Sequence, residues 1–96
     1  MHTLILYLLL FVQPAERINH KVTLSWTVST STYSGQNVYR QDCCGGFVLL
    51  KSLGKTATSY VDNGVIGGET YSYYVTITYK GNESNPSSIA ETTIPY

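Results

Sequence analysis

From Thr70 to Ile77 the chain reads Thr-Tyr-Ser-Tyr-Tyr-Val-Thr-Ile, so Tyr71, Tyr73, Val75 and Ile77 take every second position. A period of two places alternate residues on opposite faces of a β-strand. Thr70, Ser72 and Thr76 then share the other face, which predicts a strand with one side in a core and the other toward water. The same pattern occurs upstream, where Val22, Leu24, Trp26 and Val28 alternate with Thr23, Ser25 and Thr27. Nine Tyr and many Thr, Val and Ser residues favour strands, and helix formers are scarce beyond the first dozen residues.

The remaining segments follow this lead. Val38–Arg40, Phe47–Leu50, Ser59–Val61 and Ser88–Ile94 read as further strands around the long one at Glu69–Lys80. Turn signals separate them at Ser29–Gly35, Asp42–Gly46, Asp62–Gly64, Gly67–Gly68 and Gly81–Pro86, and Leu53–Thr58 reads as a loop. Short strands at this spacing predict an all-β antiparallel sandwich or barrel. Its core face should carry Val22, Leu24, Trp26, Val38, Tyr60, Tyr71, Tyr73, Val75 and Ile77. The chain has 96 residues, enough for one domain. Its formal net charge is zero and 12% of its residues are charged, so no basic face is available for nucleic acid.

The chain divides into an apolar N-terminal segment, residues 1–15, and a β domain, residues 16–96. The run Leu4–Val12 is shorter than the ~20 residues a membrane-spanning helix needs, so no stable membrane span is expected. It suits the ~7–15-residue apolar region of a secretory signal, which implies an extracellular or cell-surface location. Against this, only His2 precedes the run, and Gln13 occupies the minus-three position of a cleavage after Ala15. The alternatives are a truncated or mis-assigned start, or an edge strand of the sandwich.

Cys43 and Cys44 are adjacent. The ~3.8 Å between Cα atoms across a trans peptide is less than the ~4.4–6.8 Å usual in disulfides, so they cannot staple the two sheets. Free thiols in the turn are expected, with metal or redox chemistry as the alternative.

No catalytic constellation is apparent. Nucleophilic catalysis needs a base within reach of Ser or Cys, and the two histidines are His2 and His20. The acids are scattered, and Asp62, Glu69 and Glu83 sit in turns. Metal ligands with suitable spacing are not evident. Neither glycine pair opens a helix, as a phosphate loop requires. No enzyme activity, metal or cofactor is expected. Asn82-Glu83-Ser84 fits the N-glycosylation sequon, while Gly81-Asn82 also reads as hairpin-turn chemistry.

Four stretches carry a resemblance: His20–Trp26 with Ser34–Arg40, Thr58–Asp62, Gly68–Val75, and Gly81–Ser84. Together they resemble, in the right order, the fibronectin type III family, most closely the modules of bacterial secreted proteins. The resemblance covers residues 19–95. It implies an immunoglobulin-like sandwich of about seven antiparallel strands, the first of which has no clear match here. It makes Trp26 the core tryptophan of strand B. It makes Tyr71, three residues beyond Gly68, the corner tyrosine whose hydroxyl ties strand F to the preceding loop.

Four residues depart from the family pattern. Gln36 replaces an inward Tyr on strand C. An unpaired buried amide costs ~1–3 kcal/mol, so Gln36 should be rim-exposed or hydrogen-bonded. Cys43 and Cys44 replace Ser or Thr, and Ile77 replaces Ala.

Tyr39 and Tyr74 fall on the outward faces of strands C and F. With Asn82 and Glu83 of the F–G loop they are the candidate partner-binding residues, while Trp26, Val38, Tyr71, Tyr73 and Val75 are structural. The loop carries no Arg-Gly-Asp. The implied function is a non-catalytic extracellular module: spacer, accessory or protein-binding domain, within or cut from a larger protein. The alternative is a carbohydrate-binding module that uses the exposed tyrosines, so the partner is a protein or a polysaccharide.

Overall fold

The computed structural model describes residues 9–12, 20–27 and 33–96. His2, Ala15 and Val28 lie outside them. The strands are β1 (Leu9–Val12), β2 (Val22–Thr27), β3 (Gly35–Gln41), β4 (Val48–Gly54), β5 (Ser59–Asp62), β6 (Thr70–Tyr79), β7 (Asn82–Glu83) and β8 (Ala90–Thr93). One sheet has the order β1-β2-β5. The other has the order β4-β3-β6-β7, with β8 also on β6. Every pairing is antiparallel.

β7 and β8 run along the same side of β6 as one interrupted strand. β7 pairs with Thr78 and Tyr79, and β8 pairs with Thr70–Tyr73. Between them Ser84 and Ser87 bridge the gap. Their hydroxyls accept the amides of Ile77 and Val75 at 3.0 and 2.9 Å. Their own amides donate to the carbonyls of the same two residues. Among the described residues the sandwich thus has seven strand positions occupied by eight strands.

Alternation decides which face is buried. On β2, Val22, Leu24 and Trp26 are buried while Thr23 and Ser25 are not. On β6, Tyr71, Tyr73, Val75 and Ile77 are buried, and Val38 joins them from β3. Each fully buried Val or Leu contributes ~1.5–3 kcal/mol. Val65 and Ile94 complete the core, and Tyr60 is half-buried against it.

The boundaries differ most from the sequence reading at β3, at β4 and at the turn after β6. β3 begins at Gly35, ahead of Val38, and β4 runs on to Gly54 by pairing with Gly35–Asn37. β4 is an edge strand exposed over most of its length, so it shows no alternation, and Leu53 reads as loop. A bulge between Val38 and Tyr39 shifts the register opposite β4, where Leu50 packs against the core. Finally, Asn82 is not a turn residue. The turn is Lys80–Gly81, with φ of 49° and 80°, the left-handed pair that a two-residue type I′ hairpin requires.

Two polar devices lie in the interior. Gln36, 1% exposed, accepts from the Trp26 indole at 2.7 Å and donates to the carbonyls of Gly54 and Ala57 at 3.0 and 2.7 Å. All its bonding capacity toward the core is therefore used, and burial carries no orphaned group. Asp62, 2% exposed, accepts from Arg40 Nη1 at 2.9 Å, from the Tyr73 hydroxyl at 2.7 Å and from the Gly64 amide at 3.0 Å. Burial opposes the Arg40 charge, and the hydrogen bond and charge of Asp62 outweigh it, so the guanidinium pKa is raised. Burial and then the bond to Asp62 push the Tyr73 hydroxyl up.

Beside this network the Ile66 amide donates to the Tyr71 hydroxyl at 3.0 Å. That ties the start of β6 to the loop before it.

Candidate binding face

The outward side of the five-stranded sheet carries the candidate site. Antiparallel register sets Tyr39 opposite Tyr74 and Asn37 opposite Thr76. The two tyrosine rings stack, with centroids 4.8 Å apart and planes 26° from parallel. Phe47, just before β4, adds a third ring 4.5 Å from Tyr74. Leu49, paired with Tyr39, is 52% exposed and extends the apolar strip to the sheet edge.

The hairpin at Lys80–Gly81 brings Glu83 back over this face. One carboxylate oxygen, Oε2, accepts from Tyr39 at 2.6 Å, from Thr76 at 2.6 Å and from Asn37 at 2.9 Å. Asn37 is itself held by the Ser52 hydroxyl at 2.8 Å. Burial works against the Glu83 charge, and the bonds from Asn37, Thr76 and Tyr39 outweigh it, so its pKa is lowered. The Tyr39 hydroxyl is pushed up to about 12, first by its bond to Glu83, then by burial and by the carboxylate charge. Burial and the Glu83 charge raise Tyr74 as well. The result is a fixed, ionised carboxylate beside an aromatic strip. Such a surface offers ring faces and edges for apolar contact and an acceptor for hydroxyl or cationic groups.

Of the candidate partner-binding residues, Tyr39, Tyr74 and Glu83 meet here. Asn82 pairs with Tyr79 through the backbone and is exposed on β7. The sequence reading missed Asn37, Phe47, Leu49 and Thr76. Parity signals two of them, since Asn37 shares the face of Tyr39 and Thr76 that of Tyr74. Phe47 and Leu49 needed the hairpin register.

His20 packs against Gly67, and its Nε2 is buried without a hydrogen-bond partner. Among the described residues no group of three or more His, Cys, Asp or Glu is placed to hold a metal ion.

Cys43 and Cys44 overturn the expectation of free thiols: the two sulfurs are bonded to each other. Their Cα separation of 3.8 Å rules out a staple between the sheets, but not a ring closed across a single peptide. The Asp42 side chain accepts the Cys44 amide at 3.0 Å, and Gln41 donates to the Gly45 carbonyl at 2.9 Å, which shapes the turn around the bond.

No protein-family model and no curated protein matches the chain. Solved structures do match it in fold. An Fn3-like protein from Clostridium thermocellum superposes with a TM-score of 0.73 at 25% identity, over 91% of this chain and 88% of that one. Pectate lyase PelI from Erwinia chrysanthemi, solved with tetragalacturonic acid, gives 0.74 at 18% identity, over 88% of this chain and 28% of that one. Domains of titin give 0.74 at 19%, over 91% and 30%. The chain therefore spans less than a third of the pectate lyase and of the titin fragment, and most of the Fn3-like protein. The fold is a fibronectin type III or immunoglobulin-like β-sandwich.

Proposed function

We propose that this chain is a non-catalytic fibronectin type III module of an exported protein, an accessory domain that docks a protein partner through its aromatic sheet face. The observation that carries this reading is the Tyr39–Tyr74 stack with Glu83 fixed against it by three donors. A spacer needs no such surface. Holding three side chains on one carboxylate oxygen also lowers the entropy lost when a partner lands there. The similar sandwiches that form parts of longer chains, such as the pectate lyase and titin structures, support the accessory role. An exposed disulfide suits an oxidising compartment, which supports export.

A second reading is favoured by the same rings. Stacked tyrosines beside a carboxylate suit a sugar, with ring C–H groups on the aromatic strip and hydroxyls on Glu83. A β-1,2-glucanase from Parabacteroides distasonis contains a similar sandwich, TM-score 0.73 at 20% identity, over 96% of this chain and 13% of that one.

A glycan array followed by affinity electrophoresis in soluble polysaccharides separates the two. Retardation that disappears in a Tyr39→Ala/Tyr74→Ala variant selects the carbohydrate reading. Absence of glycan binding leaves the protein-docking reading. Release of soluble products from any polysaccharide by the purified chain overturns the non-catalytic assignment.

A further inference from the structure

We propose that Cys43 and Cys44 form a reversible dithiol–disulfide site at the tip of the β3–β4 hairpin, and that its oxidation state sets how Phe47 sits on Tyr74.

A disulfide stabilises a fold chiefly by restricting the unfolded chain, and its effect grows with the loop it closes. This one joins neighbours in sequence, with Cα atoms 3.8 Å apart, and closes no loop beyond their own peptide unit. The two sheets are linked instead by Trp26–Gln36 and by Asp62 with Arg40 and Tyr73. The usual structural reason for a disulfide in a small exported domain is therefore missing.

The bond is open to attack. Both cysteines are exposed, and Cys44 borders a surface hollow of about 310 Å³, beside Arg40, Asp42 and Val48. Exchange requires a thiolate to reach one of the sulfurs, so access governs which disulfides react.

The bond is also placed to act on the aromatic face. The ring fixes the backbone of Cys43 and Cys44, and two exposed hydrogen bonds hold the rest of the turn. Gly45 and Gly46 follow, and then comes Phe47, whose ring rests 4.5 Å from Tyr74. Opening the ring frees the Cys43 and Cys44 dihedrals. Gly45 and Gly46 have no side chains and no close neighbours to hold the segment in place of the ring, so the ring is the main restraint on the turn that leads into Phe47.

The reductant is a dithiol. Its thiolate attacks the Cys44 sulfur, the bond to Cys43 breaks, and the electron pair leaves on the Cys43 sulfur, which takes a proton. The second thiol of the reductant then attacks its own sulfur in the mixed disulfide. Cys44 departs and is protonated, and the reductant becomes a disulfide. Two electrons and two protons pass to the protein, and a disulfide oxidant reverses the step.

The test uses the whole chain without denaturant. Iodoacetamide should add nothing before treatment and two groups after brief exposure to dithiothreitol, read by intact mass. Reduction should move the Phe47 and Tyr74 ring resonances and leave those of Trp26 and Tyr71 in place. A Cys43→Ser/Cys44→Ser variant should reproduce the reduced spectrum and unfold at the same urea concentration as the parent. Alkylation of the untreated protein overturns the proposal, as does reduction that needs denaturant. So do unmoved Phe47 and Tyr74 rings after reduction, or a double variant that unfolds at clearly lower urea. None of these readouts requires a ligand for the aromatic face.

Discussion

The indole N–H of Trp26 donates to Gln36 Oε1 at 2.7 Å, and with this bond β2 of one sheet reaches β3 of the other through the core. Trp26 is 3% and Gln36 1% exposed. The amide then spends its own two hydrogens on the carbonyls of Gly54 and Ala57. A polar residue at an inward position of β3 is tolerated because nothing on it is left unpaired.

Gln36→Leu should therefore destabilise the domain, although it adds an apolar group to an apolar core. It orphans the Trp26 N–H and the Ala57 carbonyl, while the exposed Gly54 carbonyl keeps the Ala57 amide, at ~1–3 kcal/mol for each group that water cannot reach. A loss of ~2–4 kcal/mol in urea unfolding is expected. A change below about 1 kcal/mol would show that the clamp is dispensable.

Tyr71→Phe keeps the ring and removes the acceptor of the Ile66 amide, so it should cost ~1–3 kcal/mol. Tyr74, on the outward face, should tolerate Phe within about 0.5 kcal/mol. Paired unfolding curves compare the two. A neutral Tyr71 change beside a costly Tyr74 change would contradict the register.

Arg40→Met strips Asp62 of its ion-pair partner while the carboxylate stays buried, with side-chain exposures of 23% and 3% for the pair. Breaking a fully buried pair costs ~3–5 kcal/mol, and the partial exposure of Arg40 places the expected loss near ~3 kcal/mol. A double change to Arg40→Met/Asp62→Leu should recover part of it. Thermal or urea unfolding of the single and double variants measures this coupling, and a single variant as stable as the parent would show the pair to be idle.

Tyr39 should titrate late, near pH 12 against a usual 10.0. Its folded value lies above the unfolded one, so folding favours the protonated hydroxyl. That contribution is complete below about pH 10 and is lost as pH rises through about 12. Glu83 is shifted the opposite way. Its contribution is present above its usual 4.5 and is lost as pH falls through the lowered folded value. Tyr39 ring resonances followed by NMR in the parent and in Glu83→Gln check the first statement, and urea unfolding of the same two proteins across the acid range checks the second. The variant should bring Tyr39 back toward 10.0, and an unchanged titration would show that Glu83 is not the cause.

Most of the sandwich was legible in advance because its information is local. Alternation along β2 and β6 sorts Trp26, Tyr71, Tyr73 and Val75 onto one face before any neighbour is known. Gly68, with φ of 87°, marks where β6 begins. The candidate site was legible in part. Parity placed Tyr39 and Tyr74 outward, but Glu83 looked like a turn residue. The edge strand β4 also misled at its far end, since a strand exposed on most of its positions loses the period that identifies it.

The chain's own pattern thus settled the strand class, the buried face and the neighbourhood of the corner tyrosine, because a two-residue period is a property of the backbone alone. Strand register and packing settled everything that joins distant residues. Glu83 meets Tyr39 across 44 positions, and Asp62 meets Arg40 across 22. Gln36 finds three partners within the core. Such contacts depend on where folding brings side chains that have no local preference for one another, and no periodicity in the sequence encodes that placement.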